Sequence, residues 1–127
     1  PLSGQRIINL PNGGGANSGR DVWFAIETED GTRQELQIYL HQLDTFVLGL
    51  RRFGASAEEL LEQNYPGSSS ALEKYSPPAV KFQAKKADDG AISLCMMDEL
   101  GTPIRVTVPS GSIKPLLIEL LKAISAK

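Results

Sequence analysis

The sequence predicts an α+β fold of two similar strand-strand-strand-helix halves, with largely antiparallel sheet and helices packed on one face. Three observations predict it. Residues 22–53 lie without a gap on residues 92–123 when slid seventy positions along the chain. In each copy the apolar residues first alternate, as in half-buried strands, and then recur at helical spacing. Both copies keep a Gly-Thr pair at the same place, Gly31-Thr32 and Gly101-Thr102.

Taken in order, Arg6-Ile7-Ile8-Asn9-Leu10 reads as a first strand ended by Pro11-Asn12. The glycine-rich segment Gly13 to Arg20 reads as a mobile loop. Gly14 and Gly19 have the spacing of a phosphate-cradling loop. However, Arg20 and Asp21 stand where that loop needs Lys and Ser or Thr, and a strand follows where it needs a helix N-terminus.

Val22, Phe24 and Ile26 alternate with Trp23, Ala25 and Glu27, and Leu36, Ile38 and Leu40 alternate with Glu35, Gln37 and Tyr39. Cross-strand neighbours must share a face. A two-residue turn would set Ile26 against Glu35 and mix the faces. A three-residue loop, Asp30-Gly31-Thr32, sets Ile26 against Leu36, Phe24 against Ile38 and Trp23 against Tyr39, with Gly31 supplying the left-handed residue. It also sets Glu27 against Glu35. The same rule pairs Met96 with Val106 and Leu94 with Val108.

Leu43, Phe46, Val47 and Leu50 make one helical stripe, repeated by Ile113, Leu116, Leu117 and Leu120. Pro115 is compatible only with a first helical turn, which puts the second start near Ser110 or Ser112. Gly54 reads as a helix stop, and Ser56 with Glu59 as the capping box of a short further helix, residues 57–63. Asn64 to Ser70 is turn-rich. Residues 71–75 could form one helical turn before Ser76-Pro77-Pro78. Val80, Phe82 and Ala84 alternate with Lys81, Gln83 and Lys85, and Asp88-Asp89-Gly90 turns that strand into the second repeat. The organisation expected is a single domain, 1–127, with halves at 5–63 and 79–124 and a linker at 64–78.

Composition bounds the function. Thirteen Lys and Arg against fifteen Asp and Glu give a net charge of −2, which makes no overall electrostatic case for nucleic acid or an anionic membrane. No apolar run approaches the ~20 residues of a membrane helix. Cys95 is the one cysteine, which suits a reducing compartment. The stretch Pro1 to Arg6 lacks a signal peptide's apolar core. A cytoplasmic protein is the expectation.

No catalytic constellation stands out. One histidine, His41, and no CxxC pair leave no metal set, and no cofactor is implied. Asp88-Asp89 and Glu29-Asp30 fall at hairpin turns, where Asp serves the backbone. The face opposite the core is more informative. Parity puts Trp23 and Tyr39 there, with Lys81, Gln83 and Lys85 from a neighbouring strand, and Arg105 and Thr107. Trp23, Tyr39, Lys81, Lys85 and Arg105 are therefore the candidate ligand- or partner-binding residues. The favoured reading is a non-enzymatic binding or assembly module forming a homodimer, because edge strands and apolar faces promote self-association. The alternatives are single-stranded nucleic-acid binding through an aromatic and basic sheet face, and small-molecule binding in a sheet–helix pocket lined by His41, Arg51, Arg52 and the glycine segment.

Overall fold

Alternating apolar residues followed by helical stripes do give strands followed by helices, twice over. A computed structural model describes residues 4–72 and 74–127. The elements are β1 (Ile7–Ala16), β2 (Asp21–Thr28), β3 (Arg33–Tyr39), α1 (Leu43–Asn64), β4 (Lys81–Lys86), β5 (Ile92–Met97), β6 (Pro103–Val108) and α2 (Ile113–Ser125). The chain divides into two units, Pro1–Leu72 and Glu73–Lys127. Each holds an antiparallel three-stranded sheet, ordered β1-β2-β3 in the first and β4-β5-β6 in the second, and a helix after it. This is an α+β fold with two similar halves.

The seventy-residue offset holds from the second strand of each half to the start of its helix. Val22 pairs with Ile38 and Ile92 with Val108; Phe24 pairs with Leu36 and Leu94 with Val106. A 3-10 turn, Leu40–Gln42 or Ser110–Ser112, leads into a helix beginning at Leu43 or Ile113. The residues just before the helices share one backbone conformation: φ −101°, ψ −4° at Gln42 and φ −102°, ψ −5° at Ser112. Pro115 falls in the first turn of α2. Neither Ser112 nor Gln42 makes a side-chain capping hydrogen bond.

The repeated hairpins, β2–β3 and β5–β6, each have a three-residue loop, but it lies one residue earlier than parity alone suggested. Thr28 N–H donates to the Thr32 carbonyl and Gly31 N–H to the Thr28 carbonyl, so the loop is Glu29-Asp30-Gly31. Asp98 and Thr102 close Glu99-Leu100-Gly101 in the same way. A type I turn with a glycine bulge puts its left-handed residue last in the loop, not in the middle. Gly31 (φ +85°) and Gly101 (φ +80°) are those residues.

Every partner therefore shifts by two. Phe24 faces Leu36 rather than Ile38, Trp23 faces Gln37 rather than Tyr39, and Met96 faces Ile104 rather than Val106. A shift of two leaves each side chain on its own face. It also removes the expected like-charge pair, since Glu27 lies opposite Arg33.

Two further expectations are corrected. The first strand does not end at Leu10. β1 continues through the glycine segment to Ala16 and pairs along it with β2. Its register slips between Ile7 and Asn9 and again between Asn9 and Asn12, which accommodates Pro11 and its missing donor. A Cβ on Gly13 would stand 2.9 Å from the Trp23 carbonyl oxygen, so this close approach of two backbones requires glycine. The chain then reverses through Asn17–Gly19, with Asn17 and Ser18 both at positive φ.

The second correction concerns Gly54. It does not stop a helix: α1 runs unbroken from Leu43 to Asn64, and Ser56 and Glu59 lie inside it. Phe46, Leu50, Phe53, Ala57 and Leu60 keep one helical phase across Gly54, and a mid-helix glycine costs only about 1 kcal/mol. Beyond α1, the Glu62 carboxylate accepts hydrogen bonds from Gly67 N–H (2.7 Å) and from Ser69 N–H (3.1 Å) and Oγ (2.8 Å). A 3-10 turn occupies Ser69–Ala71. The helical turn expected over residues 71–75 includes Glu73, which lies outside the described residues.

Burial concentrates on the middle strand of each sheet and its entry. Ala25, Ile26 and Ala91 are the buried apolar residues among those described, and Thr28 is the buried polar one. No residue of α1 or α2 is buried. No helix among the described residues is long and apolar enough to cross a membrane.

Candidate functional site

The two sheets offer equivalent faces with different chemistry. In the first unit, alternation along β2 and β3 puts Trp23, Ala25 and Glu27 on the same side as Glu35, Gln37 and Tyr39. Trp23 is half-buried. It lies between Gly14 of β1 and Gln37 of β3, its partners on either side. Its Nε1 stands 3.4 Å from where a Cβ on Gly14 would be, so the absence of a side chain there leaves room for the indole. The glycine segment thus flanks Trp23 as a paired strand.

Tyr39 is exposed and sits opposite Asp21, diagonal to Trp23. Its ring stacks on His41, with centroids 5.3 Å apart and planes 21° from parallel. The Asn17 side-chain amide donates to Asp21 Oδ2 and to Gln37 Oε1 (3.4 Å), tying the tight turn to the sheet. Leu40 N–H donates to the Arg20 carbonyl at 2.8 Å, which fixes the end of β3 beside that turn. Asn17 and His41 are neighbours that parity did not assign to the aromatic face, and Gln37, already on that face by alternation, is the residue directly opposite Trp23. That pairing was legible only once the loop position was known.

In the second unit the corresponding face carries Lys81, Gln83 and Lys85 from β4, Ser93 and Cys95 from β5, and Arg105 and Thr107 from β6. Lys85, Ser93 and Thr107 form one cross-strand row, and Gln83, Cys95 and Arg105 the next. An open depression of about 630 Å³ is bounded by residues of these two rows and of the row between them. Lys81, Lys85 and Arg105 are exposed.

Of the five candidate residues, then, Trp23 and Tyr39 lie on the first sheet, and Lys81, Lys85 and Arg105 on the second. The expectation that β4 neighbours the Trp23 strand is corrected: β4 pairs with β5 in a separate sheet. Alternation reports which face a residue takes, not which sheet it joins.

The carboxylates at the turns are occupied with the backbone. Asp30 Oδ1 accepts from the Thr28 hydroxyl (2.6 Å) and from Thr32 N–H (2.9 Å). These bonds, the Thr28 one foremost, hold the Asp30 carboxyl below its ordinary range. Asp98 Oδ1 accepts from Leu100 N–H (3.0 Å) and Thr102 N–H (2.8 Å), doing the same service in the second hairpin from the position equivalent to Thr28. Asp89 Oδ1 accepts from Ala91 N–H at 2.9 Å. Each is a turn fastener. Among the described residues, no three His, Cys, Asp or Glu side chains are grouped so as to hold a metal ion.

Compared with protein-family models and with curated proteins, the sequence matches none.

Proposed function

We propose that this protein is a non-enzymatic binding or assembly module that associates with further copies of itself, in a cytoplasmic setting. The observation that carries the reading is the state of the helices. α1 is about 33 Å long at 1.5 Å per residue. Its stripe of Phe46, Leu50, Phe53 and Leu60 stays open to solvent, Phe53 at 72%. Leu117, Leu120, Leu121 and Ile124 of α2 are likewise exposed. Full burial of one such side chain contributes about 1.5–3 kcal/mol, so stripes of this size favour a partner.

The surface area supports the same reading. The chain exposes 10963 Å². A folded monomer of 13.7 kDa exposes about 6,600 Å², and two separate globules of half that mass together expose about 8,000 Å². The difference is roughly 3,000 Å² per chain, or about 6,000 Å² for a pair, which lies at the upper end of what obligate homo-oligomers bury. The outer strands of both sheets add unpaired edges, a second route to association.

The test is substitution on the stripes. Phe53→Lys together with Leu121→Lys is expected to move the protein to a later elution volume in size-exclusion chromatography. An elution volume unchanged from that of the parent chain would count against the helices as the contact. Small-molecule binding between sheet and helices is less favoured, because the depression on β4–β6 is lined by strand residues alone.

A further inference from the structure

We propose that the face of β4–β6 bearing Lys81, Lys85 and Arg105 binds the phosphate backbone of single-stranded nucleic acid. The overall charge is misleading here because it is unevenly divided. The first unit has 5 Lys and Arg against 9 Asp and Glu, and the second has 8 against 6. Within the second unit the three strands contain no Asp or Glu at all: their sequences are KFQAKK, ISLCMM and PIRVTV. Their carboxylates are displaced to the turns, where Asp89 and Asp98 are engaged with backbone N–H groups.

Alternation then sorts the strands into two faces. One holds Phe82, Ala84, Leu94, Met96, Ile104 and Val106, with Lys86 as its only charge. The other gathers the remaining three strand cations. Around those cations stand the Gln83 amide and the Ser93 and Thr107 hydroxyls, all neutral hydrogen-bond donors, at the open depression of about 630 Å³.

The spacing argues for a chain of phosphates over a single one. Lys81 and Lys85 are four residues apart on β4, so their Cα atoms are separated by about 13 Å. Arg105 lies two strands away, about 10 Å across. Cations spread on this scale do not close a pocket around one phosphate, but they track successive phosphates of an extended strand. The outer strands are about 10 Å apart, which suits one chain rather than a duplex. No aromatic residue of β4–β6 shares this face, so base stacking contributes nothing to it and binding depends little on base identity.

The experiment is a fluorescence anisotropy titration of the intact protein with a labelled oligodeoxythymidylate at low salt, repeated with an oligodeoxyadenylate, with a duplex and with polyglutamate competitor. Both single strands are expected to bind alike and the duplex more weakly. The logarithm of the binding constant should fall against the logarithm of salt with a slope near −2, about −0.7 for each of three phosphates engaged. Lys85→Glu and Arg105→Glu should each weaken binding at least tenfold and flatten that slope. Lys114→Glu and Lys122→Glu, on α2, should leave it unchanged. Near-ultraviolet circular dichroism of each variant confirms that the fold is retained. Absence of binding at low salt, equal loss with the α2 variants, preference for the duplex, or displacement by polyglutamate at equal charge would each overturn the proposal.

Discussion

Glu35 and Arg105 occupy one position in two hairpins of the same register: Glu35 pairs with Ala25 across to β2, and Arg105 pairs with Cys95 across to β5. The backbone at the two sites is equivalent and the charge is opposite. Two chemically distinct faces thus stand on one architecture, an aromatic and acidic one around Trp23 and a cationic one around Arg105.

Because both residues are exposed and unburdened by packing, their charges are free of the fold. Glu35→Arg and Arg105→Glu are each expected to change stability by less than about 0.5 kcal/mol, measured by urea denaturation. A loss of several kcal/mol at either site would mean that the charge is structural.

The loop glycines carry a sharper expectation. Gly31→Ala and Gly101→Ala each force a side chain into the left-handed region and should cost about 1–2 kcal/mol. Gly54→Ala should do the opposite. It sits inside α1 with open space around it, so alanine should stabilise by about 0.5–1 kcal/mol. Destabilisation by Gly54→Ala would restore a helix break at that point.

At Gly13 the constraint is contact rather than φ. Alanine there would bring Cβ to 2.9 Å from the Trp23 carbonyl and 3.3 Å from Phe24 Cβ, so β1 must shift away from β2. Gly13→Ala should destabilise by about 1–3 kcal/mol and alter Trp23 emission. Gly15→Ala, with nothing within 4 Å, is the matched control.

These positions also show what was legible beforehand. The offset of seventy and the two faces were readable, because alternation with period two survives any shift of two. The loop position was not, for the same reason: both placements give identical faces, and only the left-handed demand on Gly31 separates them. The glycine run of β1 has no side chains to alternate, so its strand pairing is invisible until β2 lies beside it. At Gly54 a local stop signal lost to a stripe that keeps its phase from Phe46 to Leu60. Trp23, Tyr39, Lys81, Lys85 and Arg105 were found by parity, which cannot divide them between two sheets.

Acid should loosen the turns first. Asp30 and Glu62 both have folded-state values depressed below their ordinary 3.8 and 4.5, Asp30 by the Thr28 hydroxyl and Glu62 by the Gly67 N–H. A depressed carboxyl stabilises the fold above its ordinary value, and that contribution is lost as pH falls through the lower folded value. Denaturation midpoints should therefore hold steady above about pH 5 and decline below the ordinary carboxylate range. Asp30→Asn and Glu62→Gln should each lessen the decline. An unchanged slope in both variants would assign the acid sensitivity elsewhere.

Sedimentation equilibrium of the intact chain at micromolar concentration tests self-association most directly. The expected molar mass is at least twice 13.7 kDa, falling towards the single-chain value when Phe53 and Leu121 are both replaced by lysine. A mass of 13.7 kDa at every concentration of the unaltered protein would contradict it.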